Sequence, residues 1–334
     1  MKNATIKDIA QLTHLSVGTV SKYINGGSVK QVNKKKLDEA IQKLDFHVNN
    51  FARGLKTKHS ATIGVLIPSL DNYFCTTLVG YIEQDLSDFG YSVIVCGYQG
   101  QVDKQRERLR LLMNQMVDGI IVVPSFAPDK LLEFQDYPHI PIVFVDRVFK
   151  NSYFDTVAIK NQSISFDLTS ELIAKGHSLI GIVLGPKQIS TSKERLEGYV
   201  QAMRDHDLDI NSNFVLNGSY SMEHGYAATM HLLTRKHKPT VIFATNFDIT
   251  LGMLKAIHEL SMNVPNDISI VGFDNLQISS VFEPPLTIIE QPMEKIAKEV
   301  VKRLLGRING KITADAKTIR VSAKIVEGLS VRKL

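Results

Sequence analysis

The sequence predicts a small all-α unit at the N-terminus, then a larger α/β core of two lobes built on parallel sheets. Three observations carry this. The first sixty residues hold short, capped segments of helical periodicity and no β-rich run. From residue 62 onward, short β-rich runs alternate with longer amphipathic stretches, which means parallel strands covered on both faces. Those runs are too many for one small sheet, and 334 residues is length for about two domains.

The N-terminal elements follow in order. Thr5 with Asp8 three residues on has the form of a capping box, its carboxylate placed where the helix dipole favours it. Ile6, Ile9 and Ala10, continued by Leu12, give an apolar stripe. Thr13-His14-Leu15 breaks it, and Ser16 is a natural N-cap for a second short helix. There Val17, Val20 and Ile24 share a face, leaving Gly18, Thr19, Ser21 and Lys22 elsewhere. Asn25-Gly26-Gly27 tolerates the positive φ of a helix end. A third helix starts near Asn33, with Leu37, Ala40, Ile41 and Leu44 inward and Lys34, Lys35, Lys36 and Lys43 outside. Two short helices across a tight turn, backed by a third, form a helix-turn-helix unit whose second helix suits a major groove. Any small three-helix bundle shares this pattern, so the helices alone do not decide.

Charge adds a second line. Residues 1–60 carry eleven Lys and Arg against four Asp and Glu, whereas the remainder carries 28 against 30. A basic module ahead of a near-neutral body is an electrostatic footprint for a polyanion, with a solvated basic tail as the alternative.

In the body, candidate strands are 62–67, 92–96, 119–124, 142–146, 157–159, 179–184, 240–244, 269–273 and 286–289. Helical patterns between them include 78–89, 104–116, 163–175, 192–206, 222–234 and 251–260. Sites in such folds form at the carboxyl ends of strands, which with two facing lobes means an interlobe cleft.

Several function classes find no support. The longest apolar runs, such as Ile120–Val123, fall far short of the ~20 residues a spanning helix needs. The N-terminus has no apolar leader, and Cys75 and Cys96 are the only cysteines, which predicts a reduced, cytoplasmic setting. There is no G-x-G-x-x-G after a strand, no Walker-type loop, no H-E-x-x-H and no G-x-S-x-G. The ten histidines are scattered, and His177 after Gly176 reads as a helix C-terminal residue rather than a general base. The sequence therefore predicts a protein that is not an enzyme and has no cofactor, no metal and no catalytic residue.

Three N-terminal stretches resemble the signature of the LacI/GalR family of bacterial transcription regulators: Thr5-Ile6-Lys7-Asp8-Ile9-Ala10, then Leu15 to Lys22 with Asn25, then Asn49 to Lys58 leading into Thr62-Ile63-Gly64-Val65. The resemblance implies a helix-turn-helix domain at 1–48, a hinge helix and linker at 49–60, and an effector-binding and dimerisation core at 61–334. It places Val17, Gly18 and Lys22 where such regulators read base edges. Thr5, Ser16, Thr19, Ser21 and Asn25 fall where they hold phosphate or cap a helix. In the hinge, Asn49, Ala52, Arg53 and Lys56 match positions on DNA, and Leu55 matches a leucine that wedges into the minor groove and kinks the duplex. Two departures stand out. Lys22 replaces a commoner arginine, turning a bidentate donor into a single-point one. Val48 replaces the usual proline before the hinge.

The body resembles the same family's effector core, which is similar to periplasmic sugar-binding proteins. Markers include Asp71-Asn72-Tyr73-Phe74, Val145-Asp146-Arg147, Arg195-Leu196-Glu197-Gly198-Tyr199, Ala244-Thr245-Asn246 and Val271-Gly272-Phe273-Asp274. Lobe one is then about 61–160 plus 291–320, and lobe two about 161–290. Tyr73, Phe74, Asp146, Arg147, Arg195, Tyr220, Asn246, Asp274 and Gln291 match ligand positions, where carboxylates and guanidinium groups grip vicinal hydroxyls and aromatic faces meet a sugar ring. Phe247 stands where many members have aspartate, with Asp248 one residue later.

Taken together, the resemblance implies a sequence-specific repressor of carbohydrate utilisation genes. It would act as a homodimer on a near-palindromic operator, under allosteric control by a small ligand in the cleft. A sugar, sugar phosphate or sugar acid is expected rather than a purine, because purine-responsive relatives carry an arginine at the position of Ile189. A global catabolite regulator answering to a phosphorylated partner protein fits the same resemblance. A sugar-binding transport receptor, from a different class, leaves the basic helix-turn-helix unexplained.

Overall fold

The computed structural model describes residues 4–24, 27–46, 59–125, 140–150, 152–274 and 276–334. Asn25 and the hinge positions Asn49, Ala52, Arg53, Leu55 and Lys56 lie outside the described residues. The chain divides into two compact units, Met1–Ala61 and Thr62–Leu334.

The first unit holds α1 (Ile6–Thr13), α2 (Val17–Ile24) and α3 (Gln31–Lys43). The capping box forms as its residues dictate: Thr5 N donates to Asp8 Oδ2 at 2.7 Å, and Asp8 N donates back to Thr5 Oγ1. His14 takes a left-handed conformation that ends α1, and Ser16 Oγ accepts from Thr19 N to start α2. Ile9, Ala10, Val20, Leu37 and Ala40 are buried together, with Ile6, Leu15, Ile24, Ile41 and Leu44 packed around them. Leu12 departs from the predicted stripe: it is exposed, and Thr13 takes the inward place with its hydroxyl donated to the Ile9 carbonyl. Helix α3 begins two residues earlier than expected, because Lys30 at its N-cap makes no side-chain cap bond and leaves no signal to read.

The second unit is two doubly wound lobes. Lobe one holds β1 (Thr62–Ile67), α4 (Tyr73–Ser87), β2 (Ser92–Gly97), α5 (Val102–Asn114), β3 (Gly119–Val122), β4 (Ile142–Val145) and β5 (Asp155–Ile159). Lobe two follows with α6 (Asn161–Ala174), β6 (Ile180–Leu184), α7 (Ser190–Asp205), β7 (Val215–Asn217), α8 (Met222–Leu233), β8 (Val241–Ala244), α9 (Phe247–Glu259), β9 (Ser269–Phe273), α10 (Leu276–Val281) and β10 (Thr287–Glu290). The chain then returns through α11 (Met293–Ile308) and β11 (Thr318–Val321) to lobe one, and ends through β12 (Lys324–Val326) on lobe two.

Sheet one has the order β11-β5-β4-β3-β1-β2 and is parallel throughout. Sheet two repeats that winding as β12-β10-β9-β8-β6-β7, parallel except where β12 pairs antiparallel with β10. In each sheet the order reverses beside the first strand, so the switch points β1/β3 and β6/β8 set the place for a ligand. The central strands are buried along their whole length, as strands covered on both faces must be.

Three crossings join the lobes: Lys160, Gln291–Pro292, and residues 322–323. Helix α11 is fastened to lobe one by an ion cluster. Arg303 Nη2 and Arg307 Nε donate to the fully buried Asp155 carboxylate at 2.9 and 2.8 Å, and Lys317 N donates to it at 2.8 Å. Residues after β12 stay on lobe two, where His177 lies between Thr240 Oγ1 (2.8 Å) and the Arg332 carbonyl (3.1 Å). Burial lowers the His177 pKa, so it is a neutral anchor for the tail. Among the described residues no helix is long and apolar enough to cross a membrane.

Candidate functional site

A cavity of about 730 Å³ opens between the lobes at the carboxyl ends of the strands. Lobe one contributes Asn72, Phe74 and Cys75 from the start of α4 and Asp146 and Arg147 after β4; lobe two contributes Arg195 from α7, Tyr220 after β7, Asn246 and Asp248 after β8, and Asp274 after β9. Gln291, on the second crossing, completes the wall. Asp146 and Asp274 both have positive φ, 71° and 64°, a left-handed turn that aspartate tolerates better than most residues.

Of the nine predicted ligand positions, eight line this cavity and Tyr73 does not. The Tyr73 ring instead meets Phe247 at a centroid distance of 4.9 Å and borders a neighbouring depression. Asp248, which the altered motif left open, reaches the cavity and accepts from Asn72 Nδ2 at 3.2 Å across the lobes. Asn72, part of a family marker but not among the predicted ligand positions, lines it too, as does Thr191, whose hydroxyl carries no sequence pattern that separates it from an ordinary cap.

The cavity side chains hold one another in place. Arg195 Nε donates to Asn161 Oδ1 at 2.8 Å, its Nη1 donates to the Thr245 carbonyl, and its guanidinium lies 3.8 Å from the Phe273 ring centroid. These two bonds use Nε–H and one hydrogen of Nη1. Tyr220 OH sits between Thr191 Oγ1 (2.8 Å) and Ser192 Oγ (2.7 Å). Its ring lies so close over Gly185 that a Cβ there would be 2.3 Å from ring carbons, so only glycine fits beneath it. Gln291 Nε2 donates to Asp274 Oδ1 at 2.8 Å, leaving the buried Gln291 Oε1 with no hydrogen-bond partner. Arg147 points back into lobe one: its Nη1 donates to the Pro124 carbonyl and to Ser125 Oγ, both at 2.8 Å.

Carboxylates dominate the electrostatics. Burial pushes Asp274 up to about 6, against the lowering effect of Arg195 and of the Gln291 hydrogen bond. Burial likewise raises Asp146 despite Arg147 and Arg195, and raises Asp248 despite the Asn72 bond. Burial also pushes the Cys75 thiol up to about 12, which fits a packing residue and not a nucleophile. The cavity thus offers acceptors in excess, one fixed guanidinium edge, and two aromatic faces. That set suits a ligand rich in hydroxyl donors.

In the first unit, Ser16, Gly18 and Lys22 are exposed and Thr19 and Ser21 are half-buried, while Val17, expected to share the inward face of Val20, is itself 48% exposed at the first position of α2. Ser16 is bound to Thr19 through both backbone and hydroxyl, so its first role is to cap. Thr5 is engaged with Asp8 in the same way. The exposed face of α2 therefore presents Val17, Gly18 and Lys22.

A helix-turn-helix unit followed by a two-lobe cleft core defines a DNA-binding transcription regulator. The comparisons agree: residues 5–49 match bacterial regulatory proteins of the lacI family, and residues 60–326 match the periplasmic binding proteins and sugar binding domain of the LacI family. The chain belongs to the LacI family of transcription regulators. It is 34% identical over 332 residues to the HTH-type transcriptional repressor PurR of Edwardsiella ictaluri, covering 98% of this chain and 97% of that one. Identity to PurR of Proteus mirabilis is also 34%, over 331 residues, with the same shares covered. The lac repressor dimer bound to operator and the anti-inducer ONPF is similar at a TM-score of 0.89 and 25% identity, over 99% of this chain and all of that one. The regulator CelR in complex with cellobiose is similar at 0.73 and 25%, over 98% and 99%.

Proposed function

We propose that this regulator is a repressor that binds a near-palindromic operator as a homodimer and is switched by a carbohydrate in the interlobe cavity. Val17, Gly18 and Lys22 would read bases, with Thr5, Ser16, Thr19 and Ser21 near phosphate. Positions 1–48, 49–60 and 61–334 would act as DNA reader, hinge and effector core. Phe74, Asp146, Arg195, Tyr220, Asn246, Asp274 and Gln291 would hold the ligand, with Arg147 steadying Asp146 from 3.7 Å.

One observation carries the ligand class. The wall combines the Asp146 and Asp274 carboxylates and the Gln291 amide with the Arg195 guanidinium, which keeps N–H groups beyond its bonds to Asn161 and Thr245. Alternating hydroxyls match that set, since each can donate to a carboxylate while accepting from the guanidinium. Against a purine, Ile189 is aliphatic, 8% exposed, and absent from the cavity lining. It cannot supply the donor fork that the purine-responsive pattern carries at this position.

A thermal-shift screen tests this with D-ribose, D-glucose, D-galactose, cellobiose, glucose 6-phosphate, D-glucuronate, hypoxanthine and guanine. Stabilisation by at least one carbohydrate is the expected result. Stabilisation by a purine base with no response to any carbohydrate overturns the reading.

A further inference from the structure

We propose that Asn161 is the positioning residue for Arg195, and that it joins this guanidinium to the lobe hinge through the Glu194–Arg320 ion pair. The proposal rests on Arg195 as a ligand contact and adds how the hinge is coupled to it.

Asn161 is the first residue of α6, immediately after the crossing at Lys160, and is fully buried. Its amide has two different neighbours. Oδ1 accepts from Arg195 Nε at 2.8 Å, and Nδ2 donates to Glu194 Oε2 at 3.3 Å. Turning the amide over would set its NH₂ against a guanidinium and its oxygen against a carboxylate, so the charges on both sides fix one orientation.

Glu194 also takes both terminal nitrogens of Arg320, at 2.8 and 2.7 Å, in a forked pair. Arg320 lies in β11, just before the third crossing, and its Nη1 donates as well to the carbonyl of Ile159, the last residue before the first crossing. Lys160 N donates to the Val321 carbonyl at 2.9 Å, so these two crossings are clamped to each other. Glu194 and Arg195 are consecutive on α7 of lobe two, whereas Arg320 belongs to the sheet of lobe one. A change in lobe angle moves Arg320 relative to α7, and the shared amide of Asn161 passes that movement to Arg195. The hinge angle and the edge that Arg195 shows to the cavity therefore change together.

The test follows the Arg195 Nε–H resonance in the full-length, ligand-free chain. We compare wild type with Asn161→Ala, Asn161→Asp, Glu194→Gln and Arg320→Gln. Asn161→Ala should speed exchange of that proton by at least about tenfold, the size set by loss of one charge-assisted hydrogen bond. Asn161→Asp keeps the acceptor for Arg195 but sets its second oxygen against Glu194, so it is paired with Glu194→Gln, whose amide can donate to that oxygen; the double variant should keep the proton protected. Arg320→Gln, which touches neither Arg195 nor Asn161, should still shift the resonance and speed exchange of the Lys160 amide. An unchanged Arg195 resonance in Arg320→Gln, with the fold intact, overturns the coupling; if Asn161→Ala does not fold, loss of protection in the folded Asn161→Asp/Glu194→Gln double variant overturns the positioning role. Thermal shifts with D-ribose, D-glucose, D-galactose and cellobiose on the same proteins form a separate arm. If a purine base stabilises wild type and no carbohydrate of the full screen does, the carbohydrate reading has failed while the resonance still decides the coupling.

Discussion

Two buried aspartates in this chain respond to pH in opposite directions. Burial raises Asp274 to about 6, above its unfolded value, so the folded state holds the proton longer than the unfolded one. The stability this contributes is present below about pH 4 and is lost as pH rises through 6, a change of about 3 kcal/mol at most. Asp274→Asn should therefore raise the unfolding midpoint at pH 7.5 (about neutral conditions) and make no difference near pH 4, as urea titrations at the two values will show. A ligand hydroxyl donating to Asp274 favours the carboxylate, so carbohydrate affinity should fall as pH drops through about 6, measured by calorimetry across that range. Asp155 runs the other way. Burial alone would raise it, but hydrogen bonds from Arg307 and Lys317 and the Arg303 charge leave it below its ordinary value. Its stabilisation is present above about pH 4 and fades as pH falls through the lowered folded value. Asp155→Ala leaves two arginines facing an empty site and should cost about 3–5 kcal/mol at pH 7, with the deficit shrinking under acid in the same titrations.

At the level of elements, α2 and the α6–α7 contact make the sharpest claims. The exposed face of α2 carries Lys22, whose single ammonium offers a base less geometric selectivity than a guanidinium. Lys22→Ala should lose about 1–3 kcal/mol of discrimination at one or two symmetric base pairs. A selection of random operators against both proteins checks it; equal weakening on every sequence would make Lys22 a phosphate contact. Helices α6 and α7 meet where Gly198 leaves no room, since a Cβ there would sit 2.2 Å from the Gln162 carbonyl oxygen. Gly198→Ala should lower stability by about 1–3 kcal/mol or more, because backbone must move to admit it.

These elements also show what could be read in advance. The caps of α1 and α2 were legible because Thr5, Asp8 and Ser16 state them chemically. Buried strands such as β3, β4 and β6 were legible as unbroken apolar runs. Strands β7, β11 and β12 were not, being three or four residues long without full burial. Helix α9 begins at Phe247, four residues before the predicted 251, because the amide of Asn246 caps it by accepting from Ile249 N. In the cavity, Asp146, Arg195 and Asp274 were identified through resemblance. Asn161, Thr191 and Asp248 depend on contacts 29 to 176 residues apart in sequence, which no local pattern encodes.

On the scale of the whole second unit, the fold repeats one winding twice and joins the copies by three short crossings. Two cavity residues of lobe two are each bonded to a crossing or its border: Asp274 to Gln291, and Arg195 to Asn161. Under the proposed function, ligand contact and hinge geometry would share atoms, which is what differential binding to two lobe arrangements requires. The most direct test is operator affinity, measured by fluorescence anisotropy with and without the carbohydrate found in the thermal screen, on wild type and on Arg195→Ala. The account predicts that the carbohydrate changes wild-type affinity by at least about tenfold, a coupling of roughly 1.4 kcal/mol. It predicts that Arg195→Ala binds operator as the unliganded wild type does and ignores the carbohydrate. An operator affinity that responds to a purine base alone, or an Arg195→Ala protein that responds to the carbohydrate as wild type does, would contradict it.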